Sequence, residues 1–245
     1  NIKKIILIDK DEYGIFKLKK KIDQIKVVSK KKIRTEYCLA DVSDFNFVKK
    51  IFKNQINIFY HAAAYKHVAL LENNFLSGIK NNIKSTLNLC NYASKNKIDH
   101  FCLISSDKAV RPKSVMGMTK KICEDIVLYH AKRGHCTFFS VRFGNVINSS
   151  GSVIPIFKNQ IDNRVSLTVT SKKATRYFMH IIDAVKLVIE STTISQNSKI
   201  YALDMGQPIK IYDVAKKMIE LSGFRFINIK KKFPDTPPLG KKIIG

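Results

Sequence analysis

Glycine is scarce where a phosphate-binding turn would need it: the chain has ten glycines in 245 residues, and none clusters between a strand and a helix as G-x-G-x-x-G. No apolar run approaches the roughly 20 residues that span a bilayer, and the start shows no signal-peptide pattern, so a soluble segment is expected. Cys38, Cys90, Cys102, Cys123 and Cys136 are odd in number, widely spaced and without metal-ligand spacing, which excludes a zinc module and fits a reducing cytoplasm. Acids are few, 19 against 44 lysines and arginines, a formal charge of +25. The lysines recur along the whole chain, in runs such as Lys30 to Lys32 and Lys230 to Lys232. That distribution reads as solvated helix faces and loop tips, not a nucleic-acid groove, although anionic ligands would benefit from it. No internal repeat and no low-complexity linker interrupts the chain.

What is present is an alternation of short apolar strands and helical patterns through the first 150 residues, the mark of βαβ units and a parallel sheet. Strands are predicted at Lys4 to Ile8, Arg34 to Leu39, Ile56 to Tyr60, His100 to Ile104 and Thr137 to Phe143. Two long helices, Phe75 to Asn96 and Val115 to Arg133, carry apolar residues at three- and four-residue spacing, with Leu87, Cys90, Ile122, Ile126 and Tyr129 expected to face the sheet. Beyond Gly144 come a helix near Ile154 to Ile161, a strand at Val165 to Thr170, a helix at Asp183 to Ser191, a strand at Ile200 to Leu203 and a helix at Asp213 to Ser222. These make a small C-terminal lobe.

Three places carry chemistry. Asp9 closes the opening strand, where a dinucleotide fold puts the carboxylate that binds the adenosine ribose, although a helix N-cap would read the same. Ser105-Ser106-Asp107-Lys108 sets a hydroxyl, an acid and a base at a strand's carboxyl end, the pairing that proton removal coupled to loss of a hydroxyl requires; a solvated turn is the plainer alternative. Met116 and Lys120 stand one helical turn apart, the Tyr-x-x-x-Lys spacing of short-chain dehydrogenases with methionine in place of tyrosine. Alone, that spacing means nothing.

Taken together, His61 to Val68, Ser105 to Pro112, Val115 to Lys120, Arg142 to Val146, Gly151 to Pro155 and Thr175 to Met179 resemble the UDP-N-acetylglucosamine 4,6-dehydratases of capsule, O-antigen and protein-glycan assembly. The resemblance runs from Asn1 to about Gly223. Met116 points to the large membrane-anchored branch of that family within the extended short-chain dehydrogenases. It implies an α/β fold: a Rossmann-like parallel sheet missing its first strand and glycine loop, with a small C-terminal substrate lobe. Residues 1–150 would form the NAD-binding part and residues 151–245 the substrate lobe, interleaved with it.

The resemblance implies that Asp9, Asp41, Val42, Ala62, Ala63, Ser105 and Lys120 contact NAD, with NADP disfavoured by repulsion between Asp9 and a 2′-phosphate. Lys66, Asn145, Val153 and Arg176 would face the UDP-sugar. Ser106, Asp107 and Lys108 would stand at the reacting carbons, with Asp107 as the acid at the C6 hydroxyl, Lys108 as the base at C5, and Met116 and Lys120 completing the catalytic set. Methionine cannot accept the C4 hydroxyl proton, so Lys108, a water or a Ser106-linked relay must. The resemblance further implies a homo-oligomer paired through the two long helices, no nucleic-acid partner, and membrane attachment only through segments outside this chain, with the catalytic part on the cytoplasmic side.

Two departures stand out. Near the C-terminus the family's Thr-Gly-Leu-Arg-Pro-Gly-Glu-Lys is replaced by Thr236-Pro237-Pro238-Leu239-Gly240-Lys241-Lys242, with no arginine to fork onto a diphosphate. The chain also starts directly on a strand, so the natural N-terminus is expected upstream and the chain alone is expected to be inactive, as a fragment of a dehydratase or a decayed copy. A nucleotide-sugar 4-epimerase and a non-catalytic Rossmann-like binding module are the competing readings.

Overall fold

The computed structural model describes residues 2–29, 33–53, 55–96, 98–133, 135–147, 149 and 152–227. The lysine runs at 30–32 and 230–232, Gly151 and the segment 236–242 therefore lie outside the described residues. Contacts divide the chain into two compact units, Asn1–Arg142 with Thr192–Tyr201, and Phe143–Ser191 with Ala202–Gly245.

The first unit begins with β1 (Lys4–Asp9), α1 (Glu12–Ser29), β2 (Arg34–Leu39), α2 (Phe45–Ile51) and β3 (Ile58–His61). There follow α3 (Val68–Glu72), α4 (Phe75–Gly78), a π-helical stretch (Ile79–Lys84) and α5 (Ser85–Lys95), and then β4 (His100–Ser106), a 3₁₀ turn (Asp107–Ala109), α6 (Val115–Ala131) and β5 (Thr137–Phe143). Runs such as Lys4-Ile-Ile-Leu-Ile and His100-Phe-Cys-Leu-Ile are apolar on both faces, as strands of a parallel sheet must be. Helix ends are capped by short polar side chains: Asp44 accepts from the amides of Asn46 and Phe47, and Ser114 from that of Gly117.

The sheet is Rossmann-like but not continuous. β1 and β2 pair in parallel from Lys4↔Arg34 to Asp9↔Leu39 and form a two-stranded sheet of their own. A separate four-stranded sheet runs β3-β4-β5-β9, where β9 is Lys199–Ala202, with β3 and β4 parallel from Ile58↔His100 to His61↔Leu103. Among the described residues no strand pairs with both β1 and β3. The core lies on the four-stranded side, where Leu89, Cys90, Phe101, Leu103, Cys123, Val127 and Phe138 are buried together. Phe52, Phe59, Phe101 and Phe138 pack in a row, successive ring centroids 5.5, 5.5 and 5.3 Å apart.

The predicted inward stripe of the two long helices needs correction. Leu87, Ile122 and Tyr129 are 40%, 43% and 51% exposed, whereas Cys90 fills the core and Ile126 packs at its edge as expected, beside Leu89, Cys123, Val127 and Ala131. Both helices are apolar over more than one face, so spacing alone did not select the buried one. The predicted helix Phe75 to Asn96 is also interrupted, by the π-helical residues Ile79–Lys84.

The second unit holds β6 (Asn145–Val146), α7 (Val153–Asp162), β7 (Thr175–Arg176), β8 (Phe178–Met179), most of α8 (Ile181–Ile194), β10 (Ile209–Lys210) and α9 (Ile211–Leu221). Its core joins Phe157 and Ile161 of α7 to Ala215 and Ile219 of α9. The predicted strand at Val165 to Thr170 is absent: Leu167 enters this core and Val169 packs against it. The alternation that reads as a strand serves a loop laid along α7, tied by the Val165 amide to the Gln160 carbonyl and by Gln160 Nε2 to Thr168 Oγ1. The strands that do form are two-residue pairs, β6 parallel to β8 and β7 antiparallel to β10.

Candidate functional site

The carboxyl ends of β1, β2 and β3 enclose a cavity of about 190 Å³, lined by Ile8, Asp9, Lys10, Ala40, Asp41, Val42, Ala62 to Tyr65 and Asn81. Five of the residues expected at a dinucleotide, Asp9, Asp41, Val42, Ala62 and Ala63, are thus brought together. The cavity is smaller than the roughly 300–1,000 Å³ of a drug-sized pocket, so it suits one end of a dinucleotide. Small apolar walls beside two carboxylates are what a base and a ribose diol require.

One oxygen of Asp9 accepts from the Asp11 amide at 3.0 Å. Asp41 Oδ1 takes the Ser43 amide at 2.8 Å, and Asp41 Oδ2 faces Lys10 Nζ at 3.5 Å. Burial works to raise the Asp41 pKa, but the Ser43 bonds and the Lys10 charge outweigh it and hold the carboxyl below its ordinary value. Lys10 also donates to Tyr65 Oη at 2.9 Å and to Asn81 Oδ1 at 2.7 Å, so one ammonium ties the β1-β2 sheet to the chain that follows β3. Burial works to lower its pKa, but Tyr65 and Asp41 outweigh it and raise the value. From behind, the buried Asn82 grips the same loop, accepting from the Tyr65 amide and donating to the Tyr65 carbonyl and to Thr119 Oγ1. Asn82 lies in the π-helical stretch, a deviation often found at functional sites. Lys66 is exposed in this loop.

At the end of β4 the chain turns sharply. Ser106 caps the 3₁₀ turn by accepting from the Lys108 amide, and its hydroxyl donates to Asp107 Oδ1 at 2.8 Å. Lys108 Nζ meets that same oxygen at 2.9 Å, with side chains 34% and 28% exposed. Acid and base are therefore in contact and open to a ligand.

Helix α6 is pressed against this turn. A Cβ on Gly117 would stand 2.6 Å from the Lys108 carbonyl oxygen, so only glycine allows the approach. Met116 and Lys120 both lie on the buried side of α6, 3% and 8% exposed. Lys120 Nζ donates to the Ile104 carbonyl at 2.8 Å. Burial lowers its pKa, and Cys123 and Glu124 oppose that shift. His61, at the end of β3, is pushed down to about 3 by burial and by the Lys120 charge, so its ring is neutral; Nε2 lies 3.0 Å from Thr86 Oγ1. Ser105, expected at the cofactor, is 4% exposed and directs its hydroxyl to Glu124 Oε1 at 2.6 Å.

The second unit holds the other expected substrate contacts, and they are described within it. Asn145 opens β6, its amide bonded to the Tyr177 carbonyl. Arg176 is exposed in β7 and bonds the Thr175 carbonyl. Val153 starts α7 and packs partly buried on the lobe's core.

The family described as polysaccharide biosynthesis protein matches residues 1–237. The chain belongs to that family. Among its curated relatives it is 44% identical over 209 residues to the probable polysaccharide biosynthesis protein EpsC of Bacillus subtilis, covering 84% of this chain and 34% of that one. It is 39% identical over 243 residues to the capsular polysaccharide biosynthesis protein CapD of Staphylococcus aureus, covering 98% and 40%. A UDP-glucose 4-epimerase of Rickettsia bellii is 31% identical over 90% of this chain and 62% of its own length. The chain thus spans only part of each relative. In fold it matches the dTDP-glucose 4,6-dehydratase DesIV of Streptomyces venezuelae, solved with NAD bound, at a TM-score of 0.82 and 14% identity over 92% of this chain and 73% of that one.

Within this polysaccharide biosynthesis chain, sequence reasoning passed over Lys10, Asn82, Glu124 and Arg142. Glu124 is 0% exposed and receives Arg142 Nε at 2.7 Å and Nη2 at 2.6 Å besides the Ser105 hydroxyl. The available signals were a carboxylate four positions after Lys120, between Cys123 and Val127 on one side of the helix, and an arginine near the end of a mostly apolar strand.

Proposed function

We propose that the chain supplies the nucleotide-facing end and the acid-base pair of a nucleotide-sugar 4,6-dehydratase in polysaccharide or glycan assembly, acting on UDP-N-acetylglucosamine. The observation that carries this reading is the Asp107–Lys108 contact at the mouth of β4, beside a helix whose lysine is buried and whose tyrosine position is methionine. NAD is the cofactor in this reading, supported by the carboxylate-lined cavity and by DesIV, which shares the fold and is solved with NAD. When bound, NAD would take a hydride from C4 and return it to C6.

The chain's residues do the rest. Asp9, Asp41, Val42, Ala62 and Ala63 hold the adenosine end, and Lys120 orients the second ribose. A water or a Ser106-linked relay takes the C4 hydroxyl proton, Lys108 removes the C5 proton and returns it to C5 once the hydride has reached C6, Asp107 as the acid protonates the departing C6 hydroxyl so that one water leaves, and the proton from C4 restores Asp107. Lys66, Asn145, Val153 and Arg176 hold the UDP-sugar. No glycine turn between a strand and a helix lies among the described residues, so the pyrophosphate is given no partner here. The outward Leu87, Ile122 and Tyr129 of α5 and α6 support pairing of two copies, and five free cysteines support a cytoplasmic setting.

Proton NMR of the complete gene product with NAD and UDP-N-acetylglucosamine is the test. A 4-keto-6-deoxy sugar that vanishes in Lys108→Ala supports the reading, and a C4 epimer would move it to the epimerase that the Rickettsia bellii relative represents.

A further inference from the structure

The trio Glu124, Arg142 and Ser105 lies next to Lys120 along α6, and the Ser105 hydroxyl expected at the cofactor is spent inside it. It joins three elements: Glu124 projects from α6, Ser105 from the end of β4 and Arg142 from β5. The guanidinium meets both carboxylate oxygens, the two-point geometry that fixes position as well as charge. Glu124 is one helical turn beyond Lys120, and both are buried, so they share the inner side of α6.

A buried ammonium and a partly buried guanidinium therefore flank one buried carboxylate. The other groups around Lys120 add little charge: His61 on β3 is neutral, Cys123 on α6 is a thiol whose pKa burial raises, and the Ile104 carbonyl of β4 is a dipole. The Asp107–Lys108 pair, in the turn packed on α6, neutralises itself. Glu124 is left as the full negative charge on this side of the helix.

We propose that Glu124 is a positioning residue: clamped by Arg142 and Ser105, it fixes α6 over the ends of β4 and β5 and supplies the buried negative charge that balances the Lys120 ammonium. With methionine at position 116 there is no phenol for Lys120 to assist, so its worth lies in donated hydrogen bonds. An ammonium has three N–H groups, of which the Ile104 carbonyl takes one, leaving two suited to the hydroxyls of a ribose. This role rests on reading Lys120 as the cofactor-facing cation, but its test needs no nucleotide, so the two can fail separately.

The Lys120 ammonium is followed by NMR on the chain labelled with ¹³C,¹⁵N-lysine, its signal assigned by loss in Lys120→Arg. Glu124→Gln keeps the shape and removes the charge, and its Lys120 titration midpoint is expected at lower pH than in the unmodified chain. Ser105→Ala removes only a neutral hydrogen bond and should leave the midpoint in place, and Glu124→Asp should restore much of it. Should Glu124→Gln fail to fold, the double variant Glu124→Gln/Arg142→Gln removes the carboxylate together with the guanidinium paired to it, and is expected to move the Lys120 midpoint in the same direction but less far. An unmoved midpoint in either folded variant, or collapse of both, would assign the trio to the fold alone and overturn the proposal.

Discussion

The cavity at the ends of β1, β2 and β3 and the corner where α6 meets β4 and β5 belong to one unit, yet they are held by opposite means. At the cavity the polar ties that cross between the strand groups are exposed: Lys10 and Asp41 keep 42% and 41% of their side chains in solvent, and among the described residues the two strand groups share no ladder. At the corner Glu124, Ser105 and Lys120 are 0%, 4% and 8% exposed, and the Arg142 side chain that grips Glu124 is 21% exposed. Exposed ties contribute little to stability and yield readily to a ligand. Buried ones cost desolvation and return fixed geometry.

The comparison breaks first at Arg142. Arg142→Ala leaves the Glu124 carboxylate buried with only the Ser105 hydroxyl, and should destabilise the chain by about 3–5 kcal/mol. Chemical denaturation reads this directly, and a loss below about 1 kcal/mol, the range of an exposed pair, would erase the distinction between the two regions.

Acid should find the buried corner next. His61 is neutral when folded, its pKa lowered from 6.5 to about 3, so the unfolded chain binds the proton first. That stability is complete above the ordinary histidine pKa and is lost as pH falls towards the folded value, by a few kcal/mol in order of magnitude. Asp41 acts in the same direction at lower pH, but it is exposed and adds less. His61→Gln, which can still reach Thr86, should flatten the stability profile between pH 6.5 and about 4. An equally steep profile in the variant would place the acid lability in the carboxylates.

The approach of α6 to the acid-base turn gives a smaller and more local test. Gly117→Ala puts a methyl 2.6 Å from the Lys108 carbonyl oxygen, a backbone atom that cannot swing aside. A cost of about 1–3 kcal/mol is expected, with chemical-shift changes concentrated at Asp107 and Lys108. Unchanged shifts there would mean that the turn is not braced by the helix.

Much of the parallel-sheet part was legible in sequence because two-faced apolar strands and their polar exits leave a plain pattern. Arg34–Leu39 and Thr137–Phe143 fall on β2 and β5 as predicted, and Asp9, Asp107 and Lys108 stand at strand ends. What spacing could not show was depth. Leu87 and Leu89 are equally apolar, and only the packing of α5 on α6 and the sheet decides which is buried. Val165 to Val169 alternates like a strand but found a helix to lie on before it found a ladder partner. Glu124 was missed for the same reason, since its partners come from strands 19 and 18 residues away along the chain.

Lys10 gives the smallest expected effect and the sharpest contrast. Lys10→Met removes bonds to Tyr65, Asn81 and Asp41 at one stroke, yet the exposure of that cluster limits the stability loss to about 1 kcal/mol or less. Its consequence should be mobility: amides of Ala62 to His67 should exchange with solvent faster, while those of β4 keep their protection. The Tyr65 amide tests this most closely, because Asn82 still accepts from it when Lys10 is gone. Faster exchange at Tyr65 would show that the cross-sheet ammonium, and not Asn82 alone, holds the loop at the cavity. Unchanged exchange would make Asn82 the sole support and leave Lys10 free to turn towards an anionic ligand.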